Sequence, residues 1–138
     1  MLGPKRIGDL IYGYSLSIIC SRRMKQDLMI RIANDAEIFE YFSLEEFGIN
    51  NVAFPREQAL LLVDVFKKYG LSVLGGDVYM KTGSAIDITY DNWYCDKRVN
   101  ESDGDFLKRS CDVAETYIKE YKRKNIIKEP LFAFVVVE

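Results

Sequence analysis

A chain of 138 residues, 49% hydrophobic and 29% charged, has room for one core and no second substantial domain, and this balance excludes intrinsic disorder. A net charge of -2 gives no global drive toward nucleic acid or a membrane surface. The absence of histidine excludes Ser-His-Asp, Cys-His and His-based zinc chemistry within the chain.

The N-terminal run "LIYGYSLSIIC" follows Lys5 and Arg6 and has the outline of a signal segment. Asp9 precedes it, Gly13, Ser15 and Ser17 interrupt it, no small-x-small cleavage site follows, and it is too short to span a bilayer. Met24 and Met29 offer alternative starts, so residues 1–28 read as an extension whose membership of the domain stays open. Residues 29–138 read as one domain.

Within 25–42, Leu28, Ile32, Ala36 and Phe39, reinforced by Met29, Ile38 and Phe42, fall at helical spacing. "SLEEFG" (43–48) predicts a short helical turn capped by Ser43, with Glu46 three residues on and Gly48 as its stop. Residues 49–54 form an extended link. The next helix, 55–70, starts with Pro55 in the first helical position and buries Ala59, Leu62, Val63 and Phe66. Lys67 and Lys68 suit its last turn, and Gly70 suits its left-handed end.

Residues 71–81 read as a strand interrupted by Gly75-Gly76, 82–84 as a turn and 85–90 as the returning strand. Ile86 and Ile88 then face one side, Asp87 and Thr89 the other. A polar connection covers 91–105. A helix over 105–124, capped by Ser102 or Asp103, buries the stripe Phe106, Leu107, Cys111, Ala114, Tyr117, Ile118 and Tyr121. "LFAFVVV" (131–137) does not alternate and predicts a strand buried on both faces. The expected class is α+β: a small, mainly antiparallel sheet of about three strands with three to four helices packed on it.

The candidates for chemistry are few. Asp77, Asp87 and Asp91 could supply oxygen ligands to a divalent cation, but without EF-hand spacing. Gly75-Gly76 opens no helix and lies in no phosphate-loop motif, so a bulge or a close backbone approach explains it better. Cys20, Cys95 and Cys111 have no CxxC spacing and read as reduced thiols of a cytoplasmic protein. Cys111 lies on a core stripe, whereas Cys95 near Lys97 and Arg98 reads as an exposed thiol of lowered pKa. Trp93, the only tryptophan, sits with Tyr90 and Tyr94 in a stretch, 71–105, that carries seven acids and three bases. It is either a lid on the sheet or an anchor at a protein interface with an acidic rim.

"FGINNVAFPREQAL", "YGLSVLGGDVY" and "TYDNWYC" together resemble the immunity protein 40 family of bacterial polymorphic toxin systems, over roughly residues 43–120. The residues that carry the resemblance are Gly75, Gly76, Asp77, Tyr79, Asn92 and Trp93. It implies an inhibitor whose partner is a cognate toxin domain, with no catalysis, no cofactor and no nucleic-acid or membrane partner. On that reading Asp77, Tyr79, Asp91, Trp93 and Tyr94 are expected at the toxin contact, and Gly75, Gly76 and Asn92 hold the fold. The oligomeric state stays open. The rival readings are a metal-dependent enzyme built on Asp77, Asp87 and Asp91, and a small adaptor or ligand-binding module using a tyrosine-rich cleft.

Overall fold

The computed structural model describes residues 24–122 and 127–137. Most of the 1–28 extension therefore lies outside the described residues. The elements run α1 (Gln26–Asp35), β1 (Phe42–Ser43), a 3-10 turn (Glu45–Phe47), β2 (Val52–Pro55), α2 (Arg56–Tyr69), β3 (Ser72–Thr82), β4 (Ala85–Tyr94), α3 (Asp103–Glu120) and β5 (Glu129–Val137). The strands form one antiparallel sheet in the order β1-β2-β5-β3-β4.

The α+β class is the expected one, but the sheet has five strands rather than about three. The two extra strands are short. β1 and β2 have two and four residues, too few to show a period in the sequence. The unalternating C-terminal run is the central strand, β5, as its apolarity requires. Phe132, Phe134 and Val136 join the core beneath the helices, while Leu131 and Ala133 join a smaller cluster on the opposite face.

The helix expected over 25–42 stops at Asp35. Glu37 takes a left-handed φ of 61°, its N–H bonds to Asn34 O, and the Ile38 N–H bonds back to Ala33 O. This is a Schellman ending with glutamate in the glycine position, so the usual stop signal is missing from the sequence. Ile38 is buried immediately after it, as that motif favours. α2 ends in the same way with the expected residue: Gly70 has φ 75°, and the Leu71 N–H donates to Phe66 O. Pro55 is the N-cap of α2 rather than its first residue. Ser43 makes no capping box; its Oγ accepts from the Glu45 N–H.

α2 and α3 are held together at their ends. Arg56 donates to the carbonyls of Ile118 and Tyr121, the latter at 2.8 Å, and so satisfies acceptors that the C-terminus of α3 leaves open. Ser102 caps the other end of α3, its Oγ accepting from the Asp105 N–H at 3.1 Å. Buried Ser110 accepts from the Val73 N–H at 3.1 Å. That bond ties α3 to β3 beside the register shift between Val73 and Gly75.

Candidate interaction surface

The double glycine is explained by what lies against it. A Cβ on Gly76 would meet the Ala133 carbonyl and the ring of Trp93, with Trp93 Cζ3 at 2.7 Å. A Cβ on Gly75 would run into the backbone of Trp93 and Tyr94. The glycines therefore let Trp93 lie flat on β3, the close backbone approach expected of them. Trp93 is 7% exposed. Its ring stacks on Tyr117 at 4.7 Å and meets Phe134 edge-on at 6.0 Å. It faces the helices.

The period-2 pleat then decides where its neighbours point. Asp77 pairs with Asn92 on one side and Ala133 on the other, and Gly75 pairs with Tyr94. These residues lie on the face of the sheet away from the helices. Part of that face is covered by the turn after β1: Leu44 is fully buried, and Phe47 stacks on Tyr79 at 5.7 Å, leaving Tyr79 3% exposed. Burial raises the pKa of Tyr79, with the Asp77 charge adding to it. The part around Asp77, Asn92 and Tyr94 has no such cover. Tyr94 is 76% exposed, and Ile88 and Tyr90 of the same strand are also exposed.

β4 continues four residues past the expected end at Tyr90, and residues 91–94 are strand rather than polar connection. Between the pairs Asp77–Asn92 and Tyr79–Ile88 the register shifts. Tyr90 has φ 67°, Thr89 Oγ1 donates to Val78 O at 2.7 Å, and the Asp91 N–H donates back to Thr89 Oγ1. This bulge breaks the alternation that a pattern reading follows. It also turns Asp91 toward the helices, where its carboxylate accepts from the Tyr121 hydroxyl at 2.7 Å. The Tyr121 pKa is pushed up to about 12, by burial first and the bond to Asp91 second.

Asp77 and Asp91 therefore point to opposite faces, and with Asp87 they form no common ligand set. No group of three or more acids and cysteines able to hold a metal occurs among the described residues. The tyrosine on the groove along α3 is Tyr117, beside Lys108, Arg109 and Asp112. Three of the charged side chains of that groove are already paired, Lys108 with Asp112 and Arg109 with Glu101.

Cys95 is not the exposed, activated thiol that its neighbours in sequence imply. It is buried, and burial raises its pKa against the opposing pull of Arg109. Cys111 is fully buried, as its stripe predicts, with its thiol pushed up to about 11 by burial. Sequence reasoning missed Arg109, which pins the 95–102 connection to α3. Its guanidinium donates to both Glu101 carboxylate oxygens at 2.8 Å, to Asp96 O at 2.6 Å and to Cys95 Sγ at 3.1 Å. The bond to Arg109 is the first cause that lowers the Glu101 pKa, to about 2.

A depressed carboxylate contributes stability that is complete above its unfolded value and is lost as the pH falls through its folded one. We expect Arg109→Ala to lower the melting temperature by a constant amount above about pH 5. That gap should narrow as the pH falls from 4.5 toward 2. Part of it should persist, because the bond to Asp96 O does not titrate. Thermal melts of both proteins across this range test the assignment, and a gap independent of pH would remove Glu101 from it.

Residues 43–136 match the family described as Immunity protein 40. The chain belongs to that family. No curated protein and no solved structure matches it. The immunity protein 40 region takes in β2, β3, β4, α2, α3 and the 3-10 turn, with all but the outermost residue of β1 and of β5, so it contains the whole open face described above. Of the residues that carry the resemblance, Gly76 and Trp93 shape the core side of the sheet, and Gly75 admits the close backbone of β4. Asp77 and Asn92 are exposed on the other face. No helix among the described residues is long and apolar enough to cross a membrane.

Proposed function

We propose that this chain is the immunity partner of a bacterial toxin domain, which it neutralises by binding in the cytoplasm of the producing cell, without chemistry of its own. The family match over residues 43–136 carries this reading. The surface we assign to the toxin is the uncovered part of the sheet: Asp77, Asn92 and Tyr94 on the face, with Ile88 and Tyr90 beside them. Exposed aromatic side chains next to acids are well suited to a basic protein partner, where aromatics anchor and charge speeds encounter. On this assignment Trp93, Tyr79 and Asp91 act from within, by holding the patch in shape.

Co-expression with the toxin domain encoded beside the gene tests it. The expected result is restored growth of the host and a complex that survives two purification steps. Growth arrest undiminished by the chain, with no toxin recovered alongside it, would sink the reading.

A further inference from the structure

Among the acids of the 71–105 stretch, Asp77 stands apart. Asp91 is bonded by Tyr121, Glu101 by Arg109 and Asp103 by Lys97. Asp87, Asp96 and Asp105 are exposed, Asp87 on the edge strand β4 and the other two outside the sheet. The Asp77 carboxylate makes no hydrogen bond and no ion pair among the described residues, although it lies in the middle of the sheet between β4 and β5. Its surface is open to water, but the surrounding protein displaces enough solvent to raise its pKa, and no neighbouring cation offsets this. The cation on the same face of its own strand, Lys81, lies over the Phe42 ring at 5.2 Å.

The shape around Asp77 is also distinctive. Its neighbour two residues back on β3 is Gly75, and its partner on β5 is Ala133. Both are buried and carry no polar side chain to pair with a carboxylate. Asn92 lies across on β4, and exposed Tyr94 follows it on the same face. The Asp77 carboxylate therefore stands on the open face of an inner strand, with the exposed Tyr94 ring diagonal to it on β4.

Resting on the immunity reading, we infer that Asp77 is the seat for one basic side chain of the toxin, lysine or arginine. The charge rests between the Asp77 carboxylate and the Tyr94 ring. A guanidinium or ammonium fits because it supplies the missing counter-charge and can also stack on the tyrosine. An unpaired, partly desolvated carboxylate destabilises the free protein, and a partner's cation relieves it. Asp77 then trades stability for binding.

The test uses the full chain and two readouts. Amide NMR is followed during titration with N-acetyl-arginine amide, and with the uncharged N-acetyl-citrulline amide as control. Shifts confined to Gly75–Val78, Asn92–Tyr94 and Ala133, seen only with the arginine probe and lost in Asp77→Asn, support the seat. Equal shifts in Asp77→Asn, or shifts spread evenly over all exposed acids, overturn it.

In the second readout Asp77→Asn, nearly isosteric, should melt higher than wild type and bind the toxin at least about tenfold more weakly. A lower melting temperature would make Asp77 a structural acceptor and overturn the proposal, as would unchanged toxin affinity. A chain that takes the arginine probe at Asp77 but captures no toxin keeps the seat and loses the immunity reading. A chain that captures the toxin as well without the Asp77 charge keeps the immunity reading and loses the seat.

Discussion

Trp93→Ala is expected to destabilise the protein by about 4 kcal/mol in urea denaturation, within the range for a large aromatic removed from a core. Three contacts vanish together: the stack on Tyr117, the edge contact with Phe134 and the cover over Gly76. β3 and β4 are joined here by the pairs Gly75–Tyr94, Gly76–Trp93 and Asp77–Asn92, so the resulting cavity lies directly under the open patch. Weakened toxin binding by this variant would therefore report a distorted surface and not a lost contact. Trp93→Phe separates the two effects. The indole Nε1 is buried and finds no hydrogen-bond acceptor among the described residues, so phenylalanine loses volume but removes an unsatisfied donor. Its destabilisation should be closer to about 1 kcal/mol, with toxin affinity retained. A Trp93→Phe variant as stable as wild type but unable to bind would return Trp93 to the interface.

Gly76→Ala is expected to destabilise by about 3 kcal/mol, at the upper end for an added methyl in a packed site. The new Cβ is blocked from two sides, by the Ala133 carbonyl on β5 and the Trp93 ring. β3 cannot yield readily, because it is hydrogen-bonded to β5 on one edge and β4 on the other. The two variants should not be additive. In a Trp93→Ala background the ring no longer obstructs the Cβ, so adding Gly76→Ala should cost less than it does alone. The Ala133 carbonyl keeps the cost above zero. Gly104→Ala is the matched control. Nothing lies within 4 Å of a Cβ there, and alanine favours the first turn of α3, so stability should hold or rise slightly. If Gly76→Ala proved as harmless as Gly104→Ala, the close approach of Trp93 would not be what selects the glycine.

The reach of pattern reading can be traced residue by residue. α2 and α3 were legible because each carries a full amphipathic stripe and a recognisable end, Gly70 for one and Ser102 for the other. β5 was legible because an apolar run of that length has few other uses. The end of α1 was not, because Glu37 occupies a conformation that is ordinarily a glycine's. The last four residues of β4 were not, because the Thr89–Asp91 bulge shifts the pleat, and a polar-aromatic string read without that shift looks like loop. Cys95 was misread because proximity in sequence to Lys97 and Arg98 says nothing about burial. The cation that reaches it, Arg109, comes from α3.

The candidate site divides in the same way. The sequence alone determined the class of fold, the poverty of catalytic groups, the family resemblance and the stretch that carries it, because each depends on residue type and local spacing. It did not determine which residues of that stretch face a partner. Asp77, Asn92, Trp93 and Tyr94 are near neighbours on adjacent strands. Only the pairing of β3 with β4 and β5, and the cover supplied by Phe47, separates those that are buried from those left in solvent. Successive side chains on a strand point to opposite faces, so a shift of one residue in register would exchange the two sets. Register is fixed by contacts between segments distant in the chain, which local sequence does not encode.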